Sequence, residues 1–139
     1  MKRMVFLCFV VSLVGAAHAS FTLGLVGDNA GRCIHRYDLD SGAYLGKFGN
    51  FALGNVFGMG LDQARNKLYV GDAGMVKAFD YNTGSYLYSL PASNTVGIST
   101  FSNGDLLLSN GTIVTRVDAT TGATINSFNY AAGGLQGSA

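Results

Sequence analysis

The chain has 139 residues, with nine basic side chains against eight acidic ones, every acidic one an aspartate, and a formal net charge of +1 at pH 7. A balance this close to neutral gives no electrostatic basis for binding nucleic acid or an anionic membrane surface. Twenty glycines, a single proline and no glutamate disfavour helices, because glycine and aspartate are weak helix formers, and leave strands and turns.

In chain order, the first element is one that leaves. Lys2 and Arg3 precede an apolar run from Met4 to Ala17, and Ala17-His18-Ala19 puts small residues at the two positions a signal peptidase reads. The pattern predicts a signal peptide over 1–19, cleavage between Ala19 and Ser20, and a secreted or periplasmic mature chain. The run is too short for a membrane anchor, so no integral membrane segment is expected after cleavage. Cys8 and His18 depart with the signal. Cys33 is then the single cysteine, which excludes an intrachain disulfide.

The mature part, 20–139, repeats. "YDLDSGAYLGKF" (37–48), "FDYNTGSYLYSL" (79–90) and "VDATTGATINSF" (117–128) share an aspartate, a small-residue turn ending in glycine, and a strand closing on a large apolar residue. Asp38, Asp80 and Asp118 align with Gly42, Gly84 and Gly122, at separations of 42 and 38 residues. Apolar columns accompany them: Cys33, Met75 and Ile113; Ile34, Val76 and Val114; Tyr37, Phe79 and Val117; Leu45, Leu87 and Ile125; Phe48, Leu90 and Phe128. His35, Lys77 and Thr115 form a polar column that reads as solvent-facing.

Upstream strands recur as "LGLVGD" (23–28), "KLYVGD" (67–72) and "DLLLSN" (105–110), and the later two are preceded by "VFGMGL" (56–61) and "TVGISTF" (95–101). Each full unit therefore reads as four antiparallel strands joined by turns rich in Gly, Asn and Asp. That is the plan of a propeller blade. The expected fold is an all-β partial β-propeller of about three four-stranded blades, the first lacking its inner strand. Blade 1 is placed at about 21–49, blade 2 at 55–91, blade 3 at 95–130, and the start of a further blade at 131–139.

"KLYVGDAGMVKAFDYNTGSYLYSL" and "DLLLSNGTIVTRVDATTGATINSF" resemble blades of the secreted bacterial NHL and YVTN type, and the resemblance covers nearly all of the mature chain. It implies architecture strongly and function hardly at all, because propellers host binding proteins, scaffolds and enzymes alike. Exported proteins with such repeats often resemble those carrying a Pro-Glu-Pro sorting segment, which this sequence does not contain. Three blades do not close a ring that normally needs four or more. The chain is thus expected to be part of a longer propeller with downstream blades, to complete a ring by self-association, or to stand as a compact arc.

Asp38, Gly42, Asp80, Gly84, Asp118 and Gly122 are expected to build turns, their carboxylates accepting turn N–H groups. "DLDSG" (38–42) lacks the ligand positions and the closing glutamate of a calcium loop. Asp28, Asn29, Asp72, Asn94 and Asn110 occupy connections at one end of the blades, with "GNFALGN" (49–55) and "PASNT" (91–95), and are the candidate binding residues for a protein, a glycan or a small molecule. His35, with no histidine, glutamate or cysteine partner in its column, is weak evidence for a metal, and none is expected, nor any cofactor. Cys33 reads as a small buried apolar residue. Tyr44, Tyr86 and Tyr88 are expected to pack between blades rather than stack on a sugar. The function these readings favour is an exported, non-catalytic binding or scaffold propeller. The alternative is part of a propeller enzyme resembling streptogramin lyase or a quinoprotein; the mature chain's one histidine and its lack of glutamate and tryptophan argue against it.

Overall fold

The computed structural model describes residues 23–48, 53–92 and 95–129. The expected signal peptide, Asn94 and the segment 131–139 lie outside those residues.

Three antiparallel sheets follow one another along the chain. The first holds β1 (Leu23–Asp28), β2 (Cys33–Asp38) and β3 (Tyr44–Phe48) in that order. The second holds β4 (Met59–Asp62), β5 (Lys67–Asp72), β6 (Met75–Asp80) and β7 (Tyr86–Pro91). The third holds β8 (Gly97–Thr100), β9 (Leu106–Ser109), β10 (Ile113–Val117) and β11 (Thr124–Asn129). Every strand pairs with its sequence neighbour, as short turns require. Among the described residues this is the blade plan of a β-propeller, with three blades, the first of three strands.

Alternation along the strands decides how the blades stack. In β5, Leu68 and Val70 point towards blade 1 and join Leu25, Ile34, Leu53, Val56, Met59 and Phe79 in one buried cluster. Tyr69, on the opposite side, joins Val76, Ala78, Leu90, Ile98, Leu106 and Val117 in the second cluster, shared with blade 3. The middle blade is buried on both faces, so "LYV" is a continuous apolar run where a half-buried strand would alternate. Inner strands meet closely as well: Thr100 Oγ1 donates to the Leu61 carbonyl at 2.9 Å, and Arg65 reaches the Ser102 carbonyl at 3.0 Å while pairing with buried Asp62.

Two expectations change at the outer strands. Each blade has a bulge at the same place, where the register shifts beside Tyr37, Phe79 and Val117. The extra residues are Leu45, Leu87 and Ile125, so that apolar column lies outside the core, 40%, 44% and 50% exposed. Tyr44 and Tyr86 are also half exposed rather than packed between blades. Only Tyr88 of the three bridges blades, its hydroxyl donating to the Ala119 carbonyl at 2.9 Å. Strand β11 is exposed throughout.

The turn aspartates play the same part in all three blades, with different donors. Asp38 accepts from Asp40 N at 2.9 Å and Ser41 Oγ at 2.6 Å, Asp80 from Thr83 N at 2.8 Å, and Asp118 from the Thr120 and Thr121 N–H groups at 2.8 Å each. Gly42, Gly84 and Gly122 close the turns at φ of 73°, 74° and 74°, where a side chain would be strained. Hydrogen bonds hold these carboxyls below the usual aspartate range, led by the Ser41 hydroxyl at Asp38, the Thr83 N–H at Asp80 and the Thr121 N–H at Asp118. A depressed folded-state pKa stabilises the fold above the unfolded value, near 4, and that contribution is lost as pH falls through the folded value. The thermal midpoint is therefore expected to hold steady from pH 7 to about 5 and to begin to fall below about 4. Melting curves across that range check it, and a midpoint unchanged at pH 3 would contradict the hydrogen-bonded turns.

Candidate functional site

The candidate residues at the blade ends are largely engaged in holding blades together. Asn29 Oδ1, in the β1–β2 turn, accepts the Val56 N–H from the linker into blade 2. Asp72, 3% exposed at the end of β5, grips the same linker through Gly54 N at 2.8 Å and Asn55 N at 2.6 Å, and pairs with Lys77 Nζ at 2.6 Å. Burial alone pushes the Asp72 carboxyl up; the Lys77 ammonium and the two N–H groups outweigh it, and the carboxyl lies below its ordinary range. Asn110 caps its own turn, accepting from Ile113 N at 3.0 Å. It also borders a cleft of about 600 Å³ between blades 2 and 3, with Pro91, Ala92, Thr95, Thr115 and Ser127. Asp28 and Asp72 do not line that cleft.

Asp28 grips no linker; it caps its own turn, accepting from Gly31 N at 2.8 Å, and meets a second set of side chains. Registered opposite Cys33 across the β1–β2 ladder, it shares a sheet face with Cys33 and, two residues on, with His35. His35 Nε2 lies 3.2 Å from Asp28 Oδ2 and 3.7 Å from Cys33 Sγ, and His35 Nδ1 lies 3.1 Å from the Tyr44 hydroxyl. The column reading of His35 as solvent-facing and without a partner is therefore corrected: its side chain is 26% exposed and engaged at both nitrogens. The Gly31 N–H, first, and the His35 ring lower the Asp28 carboxyl, while burial raises the Cys33 thiol. The rings of Tyr37 and Tyr44, 5.3 Å apart, extend the same face. A side-chain donor set of oxygen, nitrogen and sulfur can pass a proton, hold a cation or anchor a polar ligand.

Phe57, unremarked in the column pattern, is 44% exposed on the linker held by Asn29 and Asp72. Its backbone N–H donates to the Gly71 carbonyl at 3.0 Å, which pins the aromatic side chain at the start of the inner strand. Its sequence signal is faint: its counterpart before the inner strand of blade 3 is Val96, and the larger aromatic side chain is what sets it apart.

No protein-family model matches the chain, and no curated protein sequence matches it. Solved structures do. A chain of Kuenenia stuttgartiensis hydrazine synthase aligns at a TM-score of 0.69 and 12% identity, covering 83% of this chain and 34% of that one. The WD40 repeats of RRP9 align at 0.66 and 11%, over 83% and 37%. A chain of the mitotic checkpoint complex aligns at 0.64 and 17%, over 81% and 35%. The chain thus spans about a third of the length of the structures it matches. At these identities the likeness shows the propeller fold alone.

Proposed function

We propose that this chain is an exported, non-catalytic binding scaffold built from NHL/YVTN-type propeller blades, and that it presents the blade-end linkers to a protein partner. One observation carries the reading: Asn29 and Asp72 fix the linker at Val56, Gly54 and Asn55 from two blades, holding exposed Asn55 and Phe57 in one place. An aromatic side chain on a rigid, polar-rimmed connection has the chemistry of an interface anchor, because it offers large contact area at low entropic cost. Catalysis finds less support. Asp38, Asp80 and Asp118 serve turns, Asp62 and Asp105 pair with Arg65 and Arg116, and Asp72 pairs with Lys77. WD40-type propellers among the solved structures, one of them in the mitotic checkpoint complex, lend support to a protein-binding role. A second copy that completes a ring is one partner of this kind, and a glycan would be a different ligand for the same rim.

The test is affinity capture from the exported protein fraction, with wild type beside Phe57→Ala and Asn55→Asp. We expect a discrete partner, or a doubled mass in light scattering, that Phe57→Ala weakens at least tenfold without changing the circular dichroism spectrum. Equal capture by all three chains, or none by any, would overturn the linker as the binding element.

A further inference from the structure

The Asp28 cluster occupies a position the repeat defines twice more. Its equivalents are Asp72, Met75 and Lys77 in blade 2, and Asn110, Ile113 and Thr115 in blade 3. In blade 2 the carboxylate is neutralised by an ammonium, and the thiol position is a thioether. Blade 1 differs from blade 2 at two positions on one face: a thiol stands in place of the thioether, and an imidazole in place of the ammonium. Either change alone would be unremarkable. Together, opposite Asp28, they bring three metal-ligating atom types within 4.8 Å of one another.

We propose that Asp28, Cys33 and His35 form a site for a borderline divalent cation, Zn²⁺ in preference to Mg²⁺ or Ca²⁺. Carboxylate oxygen, imidazole nitrogen and thiolate sulfur are the donor types Zn²⁺ takes, whereas hard cations want oxygen alone. With metal bonds of about 2.0–2.3 Å, tetrahedral ligands stand roughly 3.3–3.8 Å apart. The His35 edges, 3.2 Å to Asp28 and 3.7 Å to Cys33, are already near that spacing. The remaining edge closes by rotation of the Asp28 carboxylate, whose side chain is 36% exposed.

Tyr44 orients the His35 ring. In the metal-free chain Nε2 carries the proton that it donates to the Asp28 carboxylate; in the metal-bound form Nδ1–H donates to the Tyr44 hydroxyl, which frees the Nε2 lone pair for the ion. On binding, Nε2 gives up its proton, which a neutral ring regains at Nδ1, the Cys33 thiol gives its proton to solvent and the S–metal bond replaces S–H, and Nε2 and Asp28 each donate a lone pair. Thiolate and carboxylate then neutralise the dication, which offsets the repulsion from Lys47, registered opposite His35. Three protein ligands leave a fourth position for water or an anionic group.

The test titrates the purified, reduced, untagged protein with Zn²⁺ against a chromophoric chelator, and repeats the titration with Co²⁺ as a spectroscopic stand-in. We expect one ion per chain, a thiolate-to-Co²⁺ charge-transfer band, and affinity weakened at least 100-fold by His35→Ala. Tyr44→Phe, which leaves the three ligands intact, should weaken it about 10- to 100-fold, as loss of an outer-shell partner does. Cys33→Ser should abolish the band. If that variant fails to fold, the wild-type band and His35→Ala still decide the matter. Absence of stoichiometric binding, or a Co²⁺ complex without thiolate character, would overturn the proposal and leave Asp28 and His35 as a counterpart of the Asp72–Lys77 ion pair.

Discussion

Asp72→Ala is expected to cost about 3–5 kcal/mol, the loss typical of breaking a buried ion pair from one side. Two backbone donors, Gly54 N and Asn55 N, lose their acceptor, and the Lys77 ammonium, 22% exposed, loses its counter-ion. All three consequences fall on the junction of blades 1 and 2, where the linker passes from the first blade into β4. Such a loss is a large fraction of the 5–15 kcal/mol that a small domain has in total. Urea unfolding of wild type and variant measures it. The partner substitution separates the charge from the linker: Asp72→Ala with Lys77→Met should recover part of the loss, because it removes the ammonium that has lost the Asp72 carboxylate but leaves the two N–H groups without that acceptor. A single variant within 1 kcal/mol of wild type would mean that water replaces the carboxylate at the junction.

That junction also shows how far residue patterns reach. The repeated Asp…Gly turns and the "LYVGD" type of strand locate the blades, because turn chemistry and apolar alternation are local properties written into a few adjacent residues. The Asp72 grip on Gly54 and Asn55 joins residues 17 and 18 positions apart through a bent linker, and no local pattern encodes it. The Asp28 cluster lies between these cases. A tight β1–β2 turn registers Asp28 opposite Cys33, and the period of two places His35 on the same face. Reading His35 down its repeat column, beside Lys77 and Thr115, conceals this, since a column compares blades whereas a site is assembled across strands. The Leu45, Leu87 and Ile125 column misleads for a related reason: a bulge shifts the register, so apolar character recurs at positions that the fold turns outward.

Gly71→Ala should destabilise the chain by about 1–3 kcal/mol, and Gly71→Val by more, through overpacking between blades 2 and 3. A Cβ at Gly71 would lie 2.5 Å from the Thr95 carbonyl oxygen and 3.4 Å from Gly58 N, both of them backbone atoms. Gly58 is equally confined, its Cβ position 2.6 Å from the Val96 carbonyl oxygen. No rotamer change relieves either contact, so the substitution must push the Thr95 backbone of blade 3 away from β5, where Gly71 N holds the entry to β4 by donating to the Gly58 carbonyl at 2.8 Å. Gly24 supplies the control. Its Cβ position meets Leu39 Cδ2 at 2.6 Å, nearly the same distance, but that atom ends a flexible side chain that is 48% exposed. Leu39 can swing into solvent, and Gly24→Ala should cost less than about 1 kcal/mol. Urea unfolding of the two alanine variants side by side therefore reads the stiffness of the neighbour rather than the closeness of the contact. Equal losses at Gly24 and Gly71 would show that the inner strands yield as readily as an exposed leucine, and that backbone approach at Thr95 does not lock blade 3 onto blade 2.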